Sequence, residues 1–84
     1  MAEANRVIGI DISKAHLEVA CWDEAQTMAI ANEAGAIREL AEGLKSKAPA
    51  LIVMEASGGY EALAAALLAA ARLPVAVVNA RAGA

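Results

Sequence analysis

Asp11 and Glu55 are the residues of this chain best placed to do chemistry. Asp11 closes the run Arg6-Val7-Ile8-Gly9-Ile10-Asp11, and Glu55 closes the run Leu51-Ile52-Val53-Met54-Glu55. Runs this apolar read as parallel strands buried on both faces. An acid at the far end of such a strand emerges at the carboxyl edge of the sheet, where open α/β sheets place their ligands. Two carboxylates there, on neighbouring strands, offer the hard oxygen donors that Mg2+ and Mn2+ prefer. A two-ion site for phosphoryl transfer holds its metals about 3.5–4 Å apart, and in general it takes three or four acids. The chain has only two aspartates, Asp11 and Asp23, and Asp23 falls in the turn after the second strand, at the wrong end of the sheet. Asp11 and Glu55 are therefore expected to catalyse as metal ligands within an incomplete site.

The surrounding residues have plainer readings. Ser13 and Lys14 follow Asp11 and could touch a phosphate, although an ordinary exposed turn is the plainer and preferred reading. His16 reads as structural. Gly58 and Gly59 make a tight strand-to-helix turn that could also admit a phosphate to a helix amino terminus, where free N–H groups favour anions. Ser57 reads as that helix's cap and Glu61 as a first-turn acid suited to the helix dipole. Gly9 is expected to let a helix pack closely on the first strand. Cys21 is the single cysteine, so there is no disulfide framework. It reads as a small core residue, since strand alternation places it with Leu17 and Val19 and opposite His16.

Elements to position the acids can be read along the chain. Residues 6–11 form a first strand. Residues 16–22 alternate Leu17, Val19 and Cys21 against His16, Glu18, Ala20 and Trp22, a period-2 strand, and residues 26–31 form a third. Asn32 is a suitable helix N-cap. Ile37, Leu40, Ala41 and Leu44 recur at helical spacing, with Arg38 and Glu42 an i,i+4 pair. Pro49 leads into a strand over 50–55. A second helix runs from about Tyr60 to Arg72, Pro74 stops it, and Val75 to Val78 form a last strand. The order βββαβαβ with right-handed crossovers gives a mixed sheet 3-2-1-4-5, its first three strands an antiparallel meander.

Composition bounds the function. Eighty-four residues make one small domain, and the 60% hydrophobic content suits a packed core although Phe is absent. The net charge is −3 and the seven basic residues are scattered. Tight nucleic-acid binding by this chain alone is therefore not expected, since it needs clustered Lys and Arg. The amino terminus, residues 1–6, does not read as a signal peptide, and none is expected there. The longest apolar stretch, residues 62–71, falls short of the roughly 20 residues that span a bilayer, so no membrane association and a cytoplasmic location are expected.

The segments Val7-Ile8-Gly9-Ile10-Asp11-Ile12-Ser13-Lys14, Leu17-Glu18-Val19-Ala20 and Met54-Glu55-Ala56-Ser57-Gly58-Gly59-Tyr60-Glu61 resemble the amino-terminal domain of DEDD-type insertion-sequence transposases. Val77-Val78-Asn79-Ala80-Arg81 is similar to that family's Val-Val-Asn-Pro-Arg segment, with Ala80 in the proline's place. The resemblance implies an RNase H-like, RuvC-like α/β domain with Asp11 and Glu55 as the first two acids of the DEDD set. It also implies that two further aspartates, the later helices and a carboxyl-terminal domain carrying a serine lie beyond the matching segment. Residues 1–84 are thus expected to be a truncated amino-terminal catalytic domain, inactive alone, from a protein that works on DNA with a structured guide RNA, possible homo-oligomerisation included. Two other readings compete. A small α/β scaffold or oligomerisation module would need no chemistry. An actin- or sugar-kinase-like phosphate-binding fragment would want a glycine and a hydroxyl directly after the first acid, which Ile12-Ser13-Lys14 supplies poorly.

Overall fold

The computed structural model describes residues 6–79. The amino-terminal stretch read as no signal peptide (residues 1–5), and Ala80 and Arg81 of the late segment, lie outside the described residues. Seven elements follow in order: β1 (Val7–Ile12), β2 (His16–Cys21), β3 (Met28–Ala31), α1 (Ala34–Lys47), β4 (Leu51–Glu55), α2 (Ala62–Ala70) and β5 (Val75–Val78). They build one five-stranded sheet in the order β3-β2-β1-β4-β5. β2 runs antiparallel to both β1 and β3, and β4 and β5 continue parallel to β1, as the sequence predicts.

Both helices lie on one face. The connections from β1 to β4 and from β4 to β5 step the same way across the sheet, and right-handed crossovers in a common direction stack their helices on a common side. The burial of β1 shows the consequence. Ile8, Ile10 and Ile12 are buried, while Val7 and Asp11 are exposed and Gly9 is half-buried. β4 repeats the pattern, with Ile52 and Met54 buried and Leu51 and Glu55 exposed. The expectation that these strands are covered on both faces is therefore wrong for the described residues. Gly9 is not a helix-packing position either. It sits on the open face, and a Cβ placed there would meet nothing within 4 Å.

The core joins the covered face to the helices. Ile8, Leu17, Ile37, Ile52 and Leu68 are each fully buried, and each such side chain contributes roughly 1.5–3 kcal/mol of transfer free energy. α1 buries the expected stripe Ile37, Leu40, Ala41 and Leu44. α2 buries Ala64 and Leu68. The charged pair on α1 is Glu42 with Lys45, an i,i+3 contact at 3.6 Å, in place of the expected Arg38–Glu42 pair.

Element ends differ from the sequence reading for local reasons. Trp22 leaves the β2 alternation because the chain turns at Asp23, and the Arg6 and Lys47 cations lie over its ring, 5.8 and 5.6 Å from its centre. Glu33, not Asn32, is the N-cap residue of α1, and it makes no side-chain cap bond. Ala48 ends α1 in the left-handed region, its N–H donating to the carbonyls of Leu44 and Lys45. That geometry costs an L residue about 1–2 kcal/mol, which the recovered bonds offset. α2 starts at Ala62 rather than near Tyr60, since Gly58 and Gly59 both take positive φ, 69° and 102°, before the helix can begin.

Candidate metal centre

The parallel ladder between β1 and β4 pairs Gly9 with Val53 and Ile10 with Met54. Asp11 and Glu55 are each one residue further on. They therefore occupy matching positions on adjacent strands, which lie about 4.8 Å apart. Strand alternation turns both side chains to the open face, and both residues are exposed. Neither makes a hydrogen bond or ion pair among the described residues. The carboxylates share an open cleft of about 670 Å3, lined also by Gly9, Glu18, Ala20 and Val53. With no side chain, Gly9 leaves the floor beside Asp11 low.

Glu18 is a neighbour that the sequence reading left on its strand without a role. The antiparallel register sets it directly across from Asp11, and the Thr27 hydroxyl donates to its Oε2 at 2.9 Å. The alternation of β2 already carried this placement, but the hairpin register was needed to make it specific. Glu18 does not complete a metal site. No group of three or more His, Cys, Asp or Glu residues among those described is arranged to hold an ion. What the structure offers is a pair of hard oxygen donors at one rim. That donor set fits part of the coordination sphere of a hard divalent cation that keeps water on its remaining positions.

Two loops carry the rim. The turn after β1 is closed by the Ser13 N–H donating to the His16 carbonyl at 2.9 Å, and by contacts of 3.2 Å between the Ser13 hydroxyl and the His16 backbone. Lys14 and His16 are exposed on this turn, beyond Asp11. The loop after β4 holds its own anion. Glu61 Oε1 accepts the N–H of Ser57 at 2.8 Å and that of Gly59 at 3.1 Å. The Ser57 N–H foremost, with Gly59 also contributing, holds the Glu61 carboxyl below its ordinary value. A phosphate at this turn is thereby displaced by the chain's own carboxylate, and Ser57 is a loop residue rather than the cap of α2.

The remaining candidates lie elsewhere. Asp23 is at the opposite end of the sheet, where Lys47 donates to both its carboxylate oxygens at 3.1 and 2.9 Å. The hydrogen bond from Lys47 lowers the Asp23 pKa, and the same bond raises that of Lys47. Cys21 is half-buried against the core, and burial pushes its thiol pKa up, the opposite of what a nucleophile needs.

A mixed sheet in this order, with its two helices on one face and acids at the ends of β1 and β4, is an RNase H-like fold of the RuvC type. The chain is similar to the structure of Thermus thermophilus RuvC, with a TM-score of 0.56 at 18% sequence identity, over 87% of this chain and 60% of that one. It thus spans 60% of the length of that protein. Residues 8–83 match the model of the IS110-type DEDD transposase family. The chain belongs to that family. No curated protein matches its sequence.

Proposed function

We propose that Asp11 and Glu55 are two carboxylates of a divalent-metal site for DNA strand cleavage and transfer. On this reading residues 1–84 form the amino-terminal part of a transposase's RuvC-like catalytic domain. One observation carries it: two acids without partners stand in matching register on adjacent parallel strands, facing one open cleft. Like charges placed side by side cost stability, and a shared cation reverses that cost. Mg2+ or Mn2+ held there would neutralise developing charge on a phosphoryl group and activate a water or hydroxyl nucleophile. The chain's own part is to fix two ligands at a rim, leave the cleft open above Gly9, and keep basic side chains out of it.

A site of this kind needs more acids than the described residues bring together, so the chain alone is inactive in strand cleavage on this reading. DNA is the substrate of the whole protein, a structured guide RNA is a further partner, and a cytoplasmic location accords with both. The net charge of −3 means weak nucleic-acid binding by this chain, with phosphate contacts supplied from elsewhere. Among the described residues no helix is long and apolar enough to cross a membrane. The actin- or kinase-like reading loses to the family match, which covers both acid segments.

Calorimetric titration with MnCl2 tests the pair. The wild-type chain binds Mn2+, and Asp11→Asn and Glu55→Gln each weaken binding by about tenfold or more, ~1.4 kcal/mol. Equal binding by all three proteins would refute the assignment. The scaffold reading draws on exposed Leu63, Val77 and Val78 along α2 and β5. A wild-type chain that binds no metal but sediments as a dimer would favour it.

A further inference from the structure

Asp11 and Glu55 sit on different strands, and the loops that follow them are joined by one side chain. Asn32, at the end of β3, is half-buried. Its Nδ2 donates to the Ser13 carbonyl at 3.0 Å and to the Tyr60 carbonyl at 3.1 Å. Its backbone N–H donates to the Ala15 carbonyl at 2.9 Å. Ser13 and Ala15 belong to the turn that begins two residues after Asp11, and Tyr60 to the loop that begins after Glu55. No other hydrogen bond joins these two loops among the described residues.

The amide's orientation is forced. Two carbonyl oxygens demand two donors, and only the NH2 end of an asparagine supplies both. The Oδ1 end is buried and makes no hydrogen bond, so nothing on that side competes to turn the group over. Asp cannot replace Asn here when ionised, because it has no donor. Leu matches the volume and makes neither bond. The N-cap role that the sequence suggests is given up for this double donation.

We infer that Asn32 is a positioning residue that clamps the loop after Asp11 to the loop after Glu55 and so holds the two carboxylates in the arrangement the β1–β4 ladder gives them. The inference rests on the metal-site reading above. Asn32 touches no metal. It acts through the loops, as outer-shell hydrogen bonds orient metal ligands elsewhere, where their loss typically costs about 10–100-fold in metal affinity.

The test uses Mn2+ as the probe, with Asn32→Leu, Asn32→Ala and Lys47→Met compared with wild type. Lys47→Met removes ion pairs at the far end of the sheet and serves as a control for general destabilisation. Both Asn32 variants are expected to lose about tenfold or more in Mn2+ affinity, while Lys47→Met lowers the melting temperature and leaves Mn2+ affinity as it was. A second measurement needs no variant. Saturating Mg2+ slows hydrogen exchange of the Asn32 side-chain NH2 in the wild-type chain, because a clamp that favours metal binding is itself favoured by it. Wild-type binding combined with unchanged affinity in the Asn32 variants, or an NH2 group indifferent to Mg2+, would overturn the inference alone. Failure of the wild-type chain to bind either metal would overturn the carboxylate pair and the inference together.

Discussion

The two ends of the sheet treat charge in opposite ways. Where β2 finishes, Lys47 binds Asp23 at 2.9 Å and reaches Glu24 at 3.3 Å, and both it and Arg6 lie over the Trp22 ring. Both acids there are paired with Lys47, and the cluster closes the end of α1 onto β2. Where β1 and β4 finish, the Asp11 and Glu55 carboxylates stand side by side with no partner among the described residues, while Glu18 nearby accepts from the Thr27 hydroxyl and Glu61 is held by its own loop. At the first end the acids are neutralised by a lysine of the same chain. The second carries uncompensated negative charge at a place where neutral residues would serve the fold better. Departures from local stability rules concentrate at functional sites, and the contrast is a ground for the proposal that places a metal site at the second end.

The largest effect expected from breaking that end comes from its backbone. Gly59 holds φ at 102° with open space where a Cβ would be, so Gly59→Ala pays only for conformation. That cost is about 1–2 kcal/mol, read as a lowered free energy of urea unfolding with an unchanged m-value. A neutral Gly59→Ala would mean that the loop after β4 moves freely and that the rim is not built to hold a shape.

Charge substitutions sharpen the contrast with a smaller effect and a diagnostic sign. In metal-free, low-salt buffer, Asp23→Asn is expected to lower the melting temperature, because it breaks the pair with Lys47. Asp11→Asn is expected to raise it slightly, because it relieves repulsion from Glu55 and from Glu18 across the β1–β2 ladder. Added salt shrinks both shifts, as screening of exposed charges requires. Two shifts of the same sign would erase the distinction between the ends.

Much of this was legible in the chain. The strand order follows from three short alternating or apolar runs, two crossovers and their fixed hand, and the acid pair follows from two strands ending in the same register. The open face was not legible. Val7, Gly9 and Val53 are as apolar as the buried positions beside them, so composition alone gives no sign of which face the helices leave bare. Asn32 was misread because an asparagine between a strand and a helix carries a strong capping signal. Its real partners lie 19 and 28 residues away and leave no mark in the local sequence. Glu61 was placed correctly near the start of α2 but given to the dipole, since only the positive φ values of Gly58 and Gly59 turn the Ser57 and Gly59 N–H groups toward it.

Glu61 also yields the smallest effect and the one that separates the ends by mechanism. Its carboxyl is held below the ordinary 4.5, first by the Ser57 N–H, so the folded protein prefers the ionised form more than the unfolded chain does. A group depressed in this way adds stability above its unfolded pKa and loses it as the pH falls through the lower, folded value. Asp23 is depressed as well, from 3.8, chiefly by the hydrogen bond from Lys47, so both ends weaken in acid. Salt tells them apart. The Lys47–Asp23 attraction acts between exposed full charges and is screened, whereas Glu61 is bound by short hydrogen bonds to backbone N–H groups. In an amide-detected titration from neutral pH downward, the Ser57 and Gly59 signals are expected to shift with a midpoint below 4.5 that added NaCl leaves in place, while the Asp23 midpoint moves up toward 3.8. If the midpoint for the Ser57 and Gly59 amides lay at or above the ordinary glutamate value, Glu61 would not be seated in its loop, and the claim that this end holds Glu61 while leaving Asp11 and Glu55 without partners would fail.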